Sequence, residues 1–496
     1  MTVNEAQNPS RRSSMVFAFF AILLGVSSGM LVVYTNKPLF ILVGIASLIV
    51  FAATIGSVEF GLLFLTFITY TRFSDIFVQN YNAPSIAKSF IVLLIVAIFI
   101  RWSLFGERPN RLTVPVILLI AYGLIGLGSL VYAVDQSAVM AALDDYVKNA
   151  AITLVILAIL KTPVQFRRVI WTLLIVGIFL GLLSVHQYLT KNYASIYGGF
   201  AVAKFMNITT GVNDYRLTGP VGDPNFFAQV MVVLGLLGLE RLFHEQKPIL
   251  KTLAGLSAGL SILTVVFTFS RGAFIAIILA LVLYFIIYPP KLFQLVILLI
   301  LGIGLFMFIP STYYDRVLTI QDIFPTQNGL INIRQDPAIQ GRASENLTAL
   351  VMFIRHPLLG VGLSNFPILY QDYTKSLGLA STSQQRSPHN LYLEVAAETG
   401  IIGLIAFMSI VVLAYRSIFV ARKKFIEGGM RDYANMVTGF AVALTGYMIA
   451  AIFIHGAYPR YFYLLMGIAF ALPMTVKHIQ IKGENTAVVS QLIDVG

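Results

Sequence analysis

The chain has 496 residues, of which 58% are hydrophobic and only 11% charged, and its mean hydropathy is +0.83. Soluble globular domains carry roughly a quarter charged residues, so composition excludes a soluble multidomain protein. The net charge of +12 fits a membrane protein that collects Lys and Arg in its cytoplasmic loops, and the absence of cysteine excludes disulfides, a thiol nucleophile and cysteine-based metal sites.

Apolar runs recur from end to end, each long enough to cross a hydrocarbon layer roughly 30 Å thick. After Arg11 and Arg12 the first run continues as a full span with no small-residue cleavage site, so this helix is expected to stay in the protein. Spans are predicted at 15–34, 38–56, 58–77, 85–105, 113–133, 140–160 and 167–188, followed by a long polar loop at 189–225. Further spans fall at 226–243, 250–269, 272–288 and 292–309; a second loop, 310–389, precedes the last three at 390–418, 435–454 and 460–476. The chain therefore reads as an all-α polytopic membrane protein, a single integral membrane domain of about 12–14 transmembrane helices with a large, partly helical extracytoplasmic loop.

Charge assigns the sides. Counting from a cytoplasmic N-terminus puts Arg101, Arg108 and Arg111 inside, then Lys161, Arg167 and Arg168, then Arg241, Lys247 and Lys251, and finally the cluster from Arg416 to Arg431. This is the bias expected of cytoplasmic loops. Both termini are then cytoplasmic, while both long loops, the turn Ser270-Arg271-Gly272 and the stretch from His455 to Arg460 lie on the extracytoplasmic side.

The large loop closes on Ser387-Pro388-His389-Asn390. Ser387 suits an N-cap and Pro388 the first helical position, which puts His389 in the first turn of the following helix. There the helix dipole disfavours imidazolium and favours a neutral ring that accepts a proton, and free backbone N–H groups welcome a phosphate. The bland alternative is a capping histidine at the interface. At about 100° per residue, His389, Ala396, Gly400 and Gly403 form a small stripe, which either admits another helix or leaves room for a lipid-linked substrate. Glu394 and Glu398 point elsewhere, and acids within a span either support a site or bond neighbouring helices.

Arginines at the outer rim run against the positive-inside bias. Arg216 lies just ahead of Gly222-Asp223-Pro224-Asn225, a second cap-plus-proline helix entry, and Arg271 occupies a tight turn between apolar spans. Arg342 opens an amphipathic run with Leu347, Leu350, Val351 and Ile354 that suits the membrane surface. A guanidinium keeps its proton and matches a diphosphate; the alternative is pairing with Asp322, Asp336, Glu345 or Asp372. His356-Pro357 reads as a helix stop, and the Gly360-Val361-Gly362 that follows as a turn closing the surface helix. Asp144-Asp145 is the only adjacent acid pair, and metal-ligand spacings are absent.

These residues resemble the bacterial O-antigen ligase and O-antigen polymerase superfamily. The resemblance rests on His389, Asn390, Leu393 and Gly400, on the stretch from Arg342 to Phe366 with Pro357-Leu358-Leu359-Gly360-Val361-Gly362, and on Ser270-Arg271-Gly272. It is strong from about Arg216 to Leu404 and reduces to topology before that. It implies a membrane glycosyltransferase of the GT-C type that needs no metal or other cofactor. Such an enzyme moves a glycan from undecaprenyl diphosphate to an acceptor hydroxyl on the outer face of the bacterial inner membrane. It further implies that His389 is catalytic and that Arg216, Arg271 and Arg342 bind the donor diphosphate, with Asn390, Glu394 and Glu398 in support. The partners expected are the lipid-linked donor, a glycan or lipid-linked acceptor and membrane lipids, with no nucleic acid. Inversion at the sugar is expected from a single displacement. Four other readings stay open: a polymerase of the same superfamily, a metal-dependent transferase using Asp144 or Asp145, a transporter of inorganic carbon or lipid-linked glycan with the intramembrane acids as a proton relay, and a passive scaffold for envelope assembly.

Overall fold

The computed structural model describes residues 48–110, 113–209, 212–296, 299–300, 302, 337–379, 386–456 and 460–493. The predicted span at 15–34, most of those at 38–56 and 292–309, and Asp322 and Asp336 lie outside these residues. The described residues divide into two compact units at the Gly61–Leu62 boundary. In the first, a helix covers 48–56 and Val58 opens α1 (Val58–Tyr70).

The second unit is a helical bundle. Its first half holds α2 (Phe73–Tyr81), α3 (Ile86–Phe105), α4 (Thr113–Gly128), α5 (Gln136–Ile159), α6 (Pro163–Leu189), α7 (Pro224–His244) and α8 (Pro248–Phe267). Then come α9 (Arg271–Ile287), α10 (Pro337–Arg355), α11 (Phe366–Ser376), α12 (Leu391–Glu427), α13 (Arg431–Ala450) and α14 (Arg460–Ile493). Among the described residues α3, α4, α6, α7, α8, α12 and α13 are long and apolar enough to cross a membrane. The pair α1 and α2, bent by 55° at its break, makes an eighth span if counted as one. This is an all-α polytopic membrane protein. Outward-facing Val92, Ile95 and Phe99 on α3 and Ile117, Ile120 and Leu124 on α4 form apolar surface suited to lipid.

α7 is the axis of the bundle, buried along nearly its whole length and packed against α8, α9 and α13. Small residues allow the approach: Gly235 and Gly238 of α7 face Ala254, Ala258 and Ser261 of α8. Because Asp223 caps α7 by accepting hydrogen bonds from Asn225 and Phe226 N–H (2.8 and 3.0 Å), the expected cap-plus-proline entry is present.

The first long loop contains a hairpin that sequence reading did not anticipate. β1 (Ala203–Thr209) and β2 (Val212–Leu217) pair antiparallel with Lys204 opposite Arg216. Tyr215 stacks on Tyr193 at 4.0 Å and meets Phe205 across the pair at 5.2 Å, contacts of the kind that stabilise a short ladder. Alternation along β2 then sends Arg216 to the opposite, buried face.

In the second loop α10 is the amphipathic helix expected. It exposes Leu347, Leu350 and Ile354 and buries Glu345, and its buried Ala349 and Met352 join Phe366 and Tyr370 of α11 and Ala397 of α12 in a small core.

The start of α12 departs from expectation twice. Its N-cap is Asn390, whose side chain accepts from Tyr392 and Leu393 N–H (3.0 and 3.1 Å), so Ser387-Pro388-His389 precede the helix and His389 is not in its first turn. An Asn side chain that reaches two donors satisfies more of the helix start than Ser387 would from farther upstream. The helix is also broken at Gly400 (φ 65°, ψ −166°), so the small stripe is not continuous. The bonds lost at the break are replaced by the loop after α10. Val361 and Gly362 N–H donate to the carbonyls of Ala397 and Glu398 (both 2.9 Å), while Ile401 and Ile402 N–H donate to those of Pro357 and Leu358 (2.8 and 3.4 Å). A β-carbon on Gly400 would lie 2.3 Å from the Leu358 carbonyl oxygen, and one on Gly360 would lie 2.3 Å from the Glu398 carbonyl carbon. The close approach at Gly400 is thus made by a loop, neither by a helix nor by open space for a substrate.

Candidate active site

Six segments meet above the start of α7: β2, the turn 219–226, the α8–α9 turn, α10, the stretch 386–394 and the end of α13. His389 comes from the fifth. Its Nδ1–H donates to Glu345 Oε2 at 2.6 Å, and Arg386 Nη1 donates to Glu345 Oε1 at 3.1 Å. Glu345 is 1% exposed, so this carboxylate is desolvated and held from both sides. Since a carboxylate only accepts, the proton sits on Nδ1 and the other ring nitrogen of His389 is left as an acceptor.

A second imidazole adjoins the first. His455 packs edge-on against His389 with ring centres 5.4 Å apart and against Phe226 at 5.3 Å. Its Nδ1 is buried with no hydrogen-bond partner among the described residues. Burial first, then the nearness of His389, pushes His455 down to about 4, with Asp223 and Glu345 opposing. His455 is therefore uncharged at neutral pH.

The arginines close the other side. Arg216 is 5% exposed, and its Nε donates to the Thr268 carbonyl (2.8 Å) and its Nη2 to Asn225 Oδ1 (3.2 Å). Both partners are neutral, and no carboxylate lies within ion-pair distance of Arg216 among the described residues. Burial first, then the charges of Arg342 and Arg271, lower Arg216 to about 10, against Asp223. Three guanidinium groups thus share one field, and Arg216 keeps its proton at neutral pH. Arg271 is buried at the first position of α9, behind the Ser270 cap. Gly272 lets α9 press against the end of α13, since a β-carbon there would stand 2.6 Å from Phe453 Cβ. Around this cluster Arg72 donates to Val221 O (3.1 Å), Lys204 to Gly222 O (2.5 Å) and Arg460 to Asp75 (3.0 Å), adding a basic rim.

Arg216, Arg271 and Arg342 share one field, and the turn that carries Asn225 and Phe226 joins Arg216 to the two histidines. Residues 256–408 match the family described as O-antigen ligase. Over that stretch the chain is similar to the O-antigen ligase superfamily. The likeness supports ligase- or polymerase-type function in general, in a membrane setting, on lipid-linked glycans. No curated protein matches the chain. Arg271, Arg342, Glu345 and His389 fall inside the matched segment, whereas Arg216 and His455 fall outside it.

The supporting residues hold backbone. Asn390 caps α12. Glu394 Oε2 accepts from Gly456 N–H at 2.6 Å, fixing the loop that carries His455, and Glu398 accepts from Ser364 and Phe366 N–H. His356 stops α10 as expected and bonds the Tyr373 hydroxyl at 3.0 Å. Asp144 and Asp145 are exposed and both pair with Lys148. Among the described residues no group of three His, Cys, Asp or Glu could hold a metal ion.

Sequence reading missed Glu345, Arg386 and His455 as members of the site. It had treated Glu345 as a partner for an arginine, and it had placed His455 outside without a role. One signal was available: Glu345 lies three residues after Arg342 on a helix, so both point to the same side. His455 carried no such signal, because its neighbour His389 is 66 positions away in the chain (455 minus 389).

Proposed function

We propose that this protein transfers a glycan from undecaprenyl diphosphate to an acceptor hydroxyl at the extracytoplasmic face of the membrane, with His389 as general base. The observation that carries the proposal is His389 held by the buried Glu345 and joined, through His455 and Phe226, to the turn whose Asn225 bonds the buried cation Arg216. Glu345 keeps the His389 ring in one tautomer and stabilises the imidazolium that forms when the ring takes a proton.

In the step proposed, the acceptor oxygen attacks the anomeric carbon as its proton passes to the free nitrogen of His389. The bond from that carbon to the diphosphate oxygen breaks, and the electron pair leaves with the diphosphate. Diphosphate is already a good leaving group, so Arg216, Arg271 and Arg342 need only neutralise the charge it develops. A general base contributes roughly 10²–10⁴-fold. Attack from the face opposite the leaving group inverts the sugar, and no metal takes part. The exposed ridge Leu347, Leu350 and Ile354 suits seating of α10 at the outer membrane surface, where a polyprenyl carrier presents its diphosphate.

The test is transfer in vitro from a polyprenyl-diphosphate glycan, comparing wild type with His389→Ala and Arg216→Ala. Loss of product in both is expected. Normal transfer by both variants removes the proposal.

A further inference from the structure

The opposite end of the bundle holds a cavity of about 440 Å³ whose lining includes His244, Lys251, Lys291, Phe293, Arg431 and Asp432. It lies at the C-terminal end of α7, whose N-terminal end carries the candidate active site. Twenty-one helical residues at 1.5 Å each separate the two by roughly 30 Å, so this is a different place on the other side of the membrane.

The charges around it do not balance. Asp432 is the lone acid in the lining, and both its oxygens are already engaged, by Arg241 at 2.9 Å and Arg167 at 2.6 Å. Nearby Glu240 and Glu245 are spent on the same two arginines, at 2.6 and 2.5 Å. His244 turns its Nδ1 toward Glu240. Lys251, Lys291 and Arg431 are left with no acid within ion-pair distance among the described residues. Lys251 and Arg431 also stand in the first turns of α8 and α13, where the helix dipole repels a cation. Such an arrangement leaves the cavity with an excess of positive charge that favours an anion there. Phe293 lines the cavity yet is 67% exposed, and Leu292 beside it is 78% exposed; this apolar lip faces where acyl chains would run.

We infer that this cavity binds the phosphate of an anionic phospholipid in the leaflet opposite the candidate active site, with Lys251, Lys291 and Arg431 on the phosphate and Phe293 against the acyl chains. Basic pockets between helices at a membrane surface suit such headgroups. The inference does not depend on the glycan-transfer reading.

The experiment uses the full chain purified in mild detergent and exposed to phosphatidylglycerol or phosphatidylcholine, with bound lipid counted by native mass spectrometry. Wild type is expected to retain phosphatidylglycerol over phosphatidylcholine, and Lys251→Gln/Lys291→Gln/Arg431→Gln to lose that retention by roughly tenfold or more. The charge-preserving Lys251→Arg/Lys291→Arg/Arg431→Lys chain is expected to keep the lipid, which separates loss of the site from loss of the fold. Equal retention by wild type and the glutamine variant overturns the inference. So does a result in which excess inorganic phosphate binds while phosphatidylglycerol shows no advantage over phosphatidylcholine, since the site would then take a soluble anion.

Discussion

A histidine becomes a useful base when something holds its other nitrogen, and here that something is one buried carboxylate. Glu345→Gln keeps the shape but can offer an amide N–H to Nδ1, which reverses the tautomer; transfer is expected to fall by roughly 10²–10⁴-fold, close to the loss in His389→Ala. Rates measured at saturating donor check this, and an unimpaired Glu345→Gln enzyme would leave His389 without its orienting partner. His455 makes a separate statement about pH. Its folded value of about 4 lies below its ordinary 6.5, so the unfolded chain binds the extra proton first as pH falls. The stability it contributes is complete above about 6.5 and is lost progressively toward 4, up to about 3 kcal/mol at roughly 1.4 kcal/mol per pH unit. Melting temperature in detergent should drop over that window, and His455→Phe should flatten the drop.

At the scale of elements, the informative feature is the splinted break in α12. A Gly in a conformation closed to other residues, with a loop carbonyl where a β-carbon would sit, makes Gly400→Ala costly, about 2–5 kcal/mol from strain and overpacking together. The same substitution should lower transfer, because the loop it displaces continues from the helix that carries Arg342 and Glu345. Asn390→Ala, which removes only a cap, is expected to cost about 1 kcal/mol. Denaturant or thermal unfolding of the two variants side by side checks the ranking; an Asn390→Ala protein less stable than Gly400→Ala would contradict it.

For the whole molecule, the separation of two ionic layers by the length of α7 is the main consequence of the bundle. The layer at the N-terminal end of α7 concentrates arginines around histidines; the one at its C-terminal end concentrates arginines around acids, in Arg167, Arg241, Glu240, Glu245 and Asp432. Because the chain has no cysteine, single reporters can be placed at will. Lys191→Cys should react with an impermeant maleimide on intact inner-membrane vesicles of one orientation, and Lys423→Cys only on those of the other. Labelling of both from the same side would refute the topology. Transfer should also persist in chelator, since the proposed chemistry uses only side chains of this chain.

What could be read from the residues alone was whatever depends on local composition: apolar runs set by membrane thickness, the amphipathic α10, and the notable residues His389, Arg216, Arg271 and Arg342. Each of those signals lies within one stretch of chain. The cap at Asn390, the break at Gly400, the hairpin that turns Arg216 inward, and the contacts of Glu345 and His455 with His389 were decided by packing. Apart from the cap, they join groups tens of positions apart in the chain, and a contact between such groups leaves no periodic trace in the sequence. It exists only once the bundle has closed and water has been excluded, which makes leaving either partner unsatisfied expensive.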